Sequence, residues 1–168
     1  MGVTSIVISM DYYNGYSPAE RTKKLKALHK AFPNRSHPYY QGPCHMCGDP
    51  RCRVAPHGED YSEPYRWERP AVYALCSTCH SRLHKRFGSP FAWEAYEHHL
   101  RRGGYGRDLR EMPLIGRQIS SLAKSLAIGK PSTLAALSEP RSMPGPSAWW
   151  ELLTTDPVSL TASWARAR

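Results

Sequence analysis

The hydrophobic positions of this chain fall in short groups, and each group carries its own period. Val3 to Ile8 is a β-branched stretch followed by a Tyr/Asn/Gly turn region, which predicts one strand. In SPAERTKKLKALHKAF, Leu25, Leu28 and Phe32 recur at helical spacing. Ser17 is placed to cap that helix, Pro18 takes its first position, and Glu20 completes a capping box. Arg21, Lys23, Lys24, Lys26 and Lys30 occupy much of the remaining surface, so the pattern predicts a packed apolar stripe and a solvated basic face ending at Pro33 and Asn34. A second helix is predicted in SPFAWEAYEHHLRRGGYG, capped by Ser89, opened by Pro90 and closed by Gly103 and Gly104. Phe91, Trp93, Tyr96 and Leu100 are its expected apolar contacts.

Between these helices, residues 37–88 contain no apolar run long enough for an ordinary core, yet they hold all five cysteines together with His37, His45, His57, His80 and His84. A segment of that kind needs metal in place of missing core. Beyond about residue 112 the texture changes to Pro, Ser, Ala and Gly, with short apolar segments near Ile119–Ile128 and Ala148–Leu153, which predicts a loosely packed C-terminal extension. Trp149 and Trp150 are expected to dock that tail on the body rather than to stack on bases. The 168 residues suit one compact domain with appendages. Its expected divisions are 1–36, a strand and basic helix; 37–111, a metal-bound core with the following helix; and 112–168, the extension.

Charge narrows the function classes. Lys and Arg total 23 against 14 acidic residues, a formal +9, which favours a polyanionic partner. Nucleic acid, and double-stranded DNA first, is the expectation, with Lys23, Lys24, Lys26 and Lys30 on the first helix as phosphate contacts, joined by Arg82, Lys85 and Arg86. No apolar run approaches the roughly 18 residues of a spanning helix, and the start lacks a signal-peptide pattern. The expected setting is therefore the cytoplasm, without a membrane partner.

Cysteine spacing carries the strongest signal. Cys44 and Cys47 form one C-x2-C pair and Cys76 and Cys79 another, with residues 48–75 between them. Each pair brings two thiolates to adjacent vertices of a tetrahedron, the geometry of a structural zinc ion. A pair of redox motifs would need a βαβ context that neither has. Cys52 is left over as a small, partly buried side chain. Immediately after Cys79 come His80 and His84, spaced i, i+4 on one face of a predicted helix.

Taken together, VAPHGEDYSEP and ALCSTCHSRLH resemble the HNH, or ββα-metal, nuclease superfamily, particularly its phage and bacterial members with HHxDYxxP and LCxxCHxxxH segments. The matching residues are His57, Asp60, Tyr61, Pro64, Leu75, Cys76, Cys79, His80 and His84, over roughly residues 40–90. The resemblance implies an α+β fold with a small ββα-metal core, a four-cysteine zinc knuckle, flanking helices, and a second divalent ion (Mg, Mn, Ni or Zn) between hairpin and helix. It implies hydrolysis of DNA phosphodiester bonds, with His57, Asp60 and His80 as catalytic residues and His57, His80 and His84 as ligands of that ion. Asp60 is expected to brace a ligand histidine, and Asp60 or Glu59 to substitute as base. Two family positions differ: Gly58 stands where the general base usually sits, and Ala71 where the central Asn falls. The alternative class is a non-catalytic zinc module that binds nucleic acid or protein.

Overall fold

The structure is a computed structural model, and it describes residues 12–130, 132, 134 and 149–152. The strand expected at Val3–Ile8 lies outside the described residues. The chain enters through a tight turn in which Tyr13 and Tyr16 exchange backbone hydrogen bonds of 3.1 and 2.9 Å. Helix α1, Pro18–Ala31, begins where the capping box expects it: the Glu20 amide donates to Ser17 Oγ at 3.3 Å and the Ser17 amide to Glu20 Oε2 at 2.7 Å. Two short 3-10 turns, Pro33–Arg35 and Pro38–Tyr40, then lead into the cysteine knuckle.

Strands β1, Val54–Gly58, and β2, Val72–Cys76, pair antiparallel from Val54 opposite Cys76 to Gly58 opposite Val72. Every residue of β2 is buried, so this strand is enclosed on both faces. Helix α2, Ser77–His84, follows β2 without an intervening loop. Its cap is Cys76, whose sulfur accepts from the Cys79 amide at 3.5 Å. One residue thus ends the strand, starts the helix and contributes a thiol to the cysteine cluster. The fold is α+β, a small two-stranded sheet among helices.

Helix α3, Pro90–Arg101, packs on this unit through Trp93, Ala95, Tyr96, His99 and Leu100. Phe91, expected among its apolar contacts, is 44% exposed, because its position turns it away from the stripe those residues form. Pro90 opens the helix as expected, while the Ser89 side chain makes no cap hydrogen bond.

A larger correction concerns the supposed loose extension. After the short helix α4, Asp108–Glu111, helix α5 runs from Pro113 to Ala127 and buries Ile115, Ile119 and Leu122 in the same core as α3. Ile115, Ile119, Leu122 and Leu126 follow a 4-3-4 spacing, a helical stripe hidden in sequence by the intervening Gly, Gln and Ser. Further on, Trp149 stacks on Tyr73 with centroids 3.5 Å apart and donates its indole N–H to His45 O at 2.8 Å, and Trp150 is buried. Both tryptophans dock on the body. The remainder of the extension lies outside the described residues.

Candidate functional site

Two clusters of metal-ligating side chains occupy opposite ends of the β1–β2–α2 unit. The first joins Cys44 and Cys47, from the loop before β1, to Cys76 and Cys79 at the start of α2. All four are buried, and their sulfurs lie within 4.8 Å of one another, so the group could hold a metal ion such as zinc. Donors point at the sulfurs: the Cys76 amide lies 3.4 Å from Cys44 Sγ, and the Tyr96 hydroxyl is 3.2 Å from Cys79 Sγ. Such donors favour thiolates, the form a metal requires. Burial and the neighbouring thiols push Cys79 well above its ordinary pKa, whereas hydrogen bonds from Cys47 and the other thiols hold Cys44 well below it. Four thiols this close cannot all ionise unless a cation joins them. Cys52 stands outside the group, half-buried, with its thiol donating to Asp49 O at 3.2 Å.

The second cluster joins His57 on β1 to His80 and His84 on α2, with one ring nitrogen of each within 4.8 Å of the others. His80 Nε2 and His84 Nε2 are 2.9 Å apart, and the His57 ring lies 4.7 and 5.2 Å, centroid to centroid, from those two rings. The i, i+4 spacing puts both helix imidazoles on the face turned towards the hairpin. Burial, then the neighbouring His57, lowers the His80 pKa to about 4 and that of His84 to about 3. Both are therefore neutral at pH 7, with lone pairs available to a cation.

His57 is aimed from behind. Its Nε2 meets Glu59 Oε1 at 2.7 Å, which leaves Nδ1 as its other donor atom. Glu59 is buried, and Arg86 pairs with it at 3.0 Å through Nη2. Tyr13 donates its hydroxyl to Glu59 and accepts from Arg86, and Asn14 Nδ2 donates to Glu59 O at 2.7 Å. Burial pushes the Glu59 carboxyl up, but His57, Arg86 and Tyr13 outweigh it and bring the pKa down to about 2. This is a carboxylate orienting an imidazole, the arrangement that fixes ligand histidines.

The expected roles of several residues change accordingly. Glu59, not Asp60, braces the histidine. Asp60 instead organises the β1–β2 loop: its carboxylate accepts from the Ser62 amide at 2.9 Å, the Tyr16 hydroxyl at 2.9 Å and Arg66 Nη2 at 2.7 Å. Burial raises its pKa, but those hydrogen bonds prevail and hold it well below the usual range. Asp60 is not among the clustered metal-ligating groups. The place of the family base is physically occupied as well. A Cβ added at Gly58 would lie 3.1 Å from Tyr61 Cζ, so the Tyr61 ring fills the space a larger side chain would need. Gly58→His should therefore destabilise the protein by roughly 1–3 kcal/mol through overpacking and confer no cleavage activity while Tyr61 remains. Thermal melts and plasmid nicking of Gly58→His and Gly58→His/Tyr61→Ala check this. Ala71, at the family's Asn position, is buried and closes the loop, its carbonyl accepting from the Glu59 amide at 3.0 Å.

The cations expected on a phosphate-contacting surface divide into two sets. Lys26, Lys30 and Lys85 are exposed, Lys23 pairs with Glu63, and Arg82 lies over the Tyr96 ring at 5.9 Å. Arg86 is only 1% exposed and committed to Glu59, so it is a structural cation and not a surface contact. Lys24 is 4% exposed, its ammonium donating to Asp60 O. Arg21, which the sequence places on the basic face, is likewise buried. Tyr13, Asn14 and Arg21 belong to the site although nothing in their local sequence marks them, because their partners are more than forty residues away.

Comparison with protein-family models, with curated proteins and with solved structures finds no match in any of the three. No helix among the described residues is long and apolar enough to cross a membrane.

Proposed function

We propose that the chain is a metal-dependent endonuclease of HNH type acting on DNA, with zinc in the four-cysteine cluster and a second divalent ion at His57, His80 and His84. The observation that carries this reading is the convergence of three histidines from β1 and α2 on one point, beside a cavity of about 140 Å³ that also exposes Arg21 and Lys24. A hairpin followed directly by a helix, with cysteines at the hinge, supports the resemblance read from sequence. The formal charge of +9 supports a nucleic-acid substrate.

When bound at neutral imidazoles, a divalent ion supplies Lewis acidity to a phosphoryl oxygen and a lowered pKa to water. The chain's own contribution is orientation. Glu59 fixes His57, Arg86 keeps Glu59 ionised, and the Cys76–Cys79 turn fixes the start of the helix that carries His80 and His84. Zinc at the cysteines therefore acts at a distance, by holding α2 against the hairpin.

Glu59 and Asp60 are both engaged in ion pairs and hydrogen bonds, and Gly58 has no side chain. That observation favours the second reading, a zinc module that binds nucleic acid without cutting it. Plasmid DNA separates the two. With magnesium, manganese, nickel or zinc supplied in turn, the nuclease reading expects nicking by the wild type and loss of at least about a hundredfold in rate for His80→Ala, with the cysteine-bound zinc retained. Intact plasmid with all four ions, or undiminished cutting by His80→Ala, leaves the binding module.

A further inference from the structure

Helix α1 lies outside the segment that resembles any nuclease motif, yet it sends two cations inward. Arg21 is 9% exposed and Lys24 is 4% exposed, and both line the cavity that His57, His80 and His84 also line. Burying a guanidinium and an ammonium costs far more than exposing them, so two inward cations on one helix face need a reason. An amphipathic helix of this kind places Leu or Ala there by default.

Nearby anions do not supply that reason at the cavity wall. No carboxylate is among the residues lining it. Glu59, the closest acid in sequence, is directed at His57 and Arg86, and the Asp60 carboxylate is held by Ser62, Tyr16 and Arg66. Lys24 meets only the backbone oxygen of Asp60 and the faces of Tyr61 and Trp67, at 5.5 and 5.6 Å from the ring centroids. Arg21 lies over Tyr13 and Tyr61, at 5.3 and 5.7 Å. The rings shield these cations from water and offer no full negative charge, so the local field at the cavity is strongly positive. Neutral imidazoles opposite do not reduce it, and a divalent ion among them would raise it.

We propose that Arg21 and Lys24 form an anion site for a phosphodiester group, α1 clamping the phosphate from one side of the cavity while the three histidines face it from the other. This deepens the nuclease reading and rests on it for the identity of the ligand as a nucleic-acid phosphate. The guanidinium provides paired donors for two phosphate oxygens, and the ammonium a third contact. Leu25, Leu28 and Val72 in the same wall exclude water, which strengthens each charged contact. Surface cations such as Lys26 and Lys30 then add sequence-independent attraction but do not place the group that reacts.

The test titrates the full zinc-loaded chain with dithymidine monophosphate and, in parallel, with its uncharged methylphosphonate. The diester is expected to bind at least about tenfold more tightly than the methylphosphonate. Arg21→Gln and Lys24→Met should each weaken diester binding about tenfold, and Lys26→Gln on the exposed face less than about twofold. Zinc content of each variant reports that the fold survives. If Arg21→Gln or Lys24→Met loses zinc, Arg21→Lys and Lys24→Arg replace them, and the wild-type comparison of charged with uncharged ligand decides without any substitution. Equal binding of the two ligands, no binding of the diester, or unchanged affinity in folded Arg21→Gln and Lys24→Met overturns the clamp. Plasmid nicking keeps the two readings apart. Diester binding that depends on Arg21 and Lys24 without cutting by the wild type removes the nuclease and leaves the anion site, whereas cutting by both variants at wild-type rate and KM removes the clamp and leaves the nuclease.

Discussion

Replacing Cys79 with serine is expected to abolish zinc binding and to unfold the hairpin with α2, leaving no cooperative thermal transition for that unit. Cys79 is 0% exposed and sits in the same core as Leu83, Trp93, Tyr96 and Leu100. Its sulfur is held between the Tyr96 hydroxyl and the other three thiols. Serine keeps a polar atom there but replaces a soft thiolate with a hard oxygen on a shorter bond, so one tetrahedral position is lost. A structural zinc contributes on the order of 10–16 kcal/mol in small zinc-dependent units. That is comparable with the whole stability of a domain, about 5–15 kcal/mol, so partial loss of affinity is enough to unfold it. Cys52→Ser is the control. Its thiol meets a backbone oxygen outside the four-sulfur group, and it should keep one zinc per chain and melt within a few degrees of wild type, roughly 1 kcal/mol or less. Elemental analysis and thermal melts with and without chelator decide the matter. A Cys79→Ser chain that melts like wild type without zinc would show that packing alone holds the core.

What the sequence makes legible here is local, and what it hides is long-range. The capping box of α1, the cysteine pairs and the i, i+4 histidines each depend on residues a few positions apart, and each is found where spacing puts it. The hairpin pairing and the meeting of His57 with α2 follow once the two cysteine pairs are joined, since that closure brings Val54 opposite Cys76. Charge is where pattern reading fails. A lysine on an amphipathic helix reads as solvated, yet Lys24 and Arg86 turn inward because Asp60 O and Glu59 receive them. Likewise Asp60, part of the motif, is less important to the imidazoles than Glu59 beside it, since only Glu59 follows β1 at the offset that brings its carboxylate back to His57. Helix α5 was hidden for a different reason. Its small and polar residues look like a linker, and only the spacing of Ile115, Ile119 and Leu122 distinguishes them from one.

The Glu59–Arg86 pair leads to the second large expectation. Glu59→Gln should destabilise the protein by about 3–5 kcal/mol, because it leaves the Arg86 guanidinium buried without its anion. The pKa gives a second route to the same size. A carboxyl moved from its ordinary 4.5 to about 2 by folding corresponds to roughly 3 kcal/mol at neutral pH. A depressed carboxylate contributes its full stability above its unfolded value, and that stability is lost as pH falls from about 4.5 towards 2. His80 and His84 act in a separate window. Their lowered folded values mean that the unfolded chain binds protons first, so stability measured without the second metal falls as pH drops from 6.5 to about 4 and, for His84, to about 3. Glu59→Gln should therefore remove the loss between pH 4.5 and 2 while keeping most of the loss that begins at 6.5. Arg86→Met alone should cost a similar amount, since it strands the carboxylate, whereas Glu59→Met/Arg86→Met should recover most of it by removing both charges together. Divalent-metal affinity at the histidines distinguishes this pair from a purely structural one. Both Glu59→Gln and the double variant free His57 to rotate and should weaken it about 10–100-fold, even where the double variant folds as stably as wild type. Denaturant unfolding across pH 2–8 and metal titration by calorimetry measure the two effects separately. A double variant that regains stability and also binds the second metal like wild type would mean that Glu59 serves the fold alone and that His57 is held by its strand.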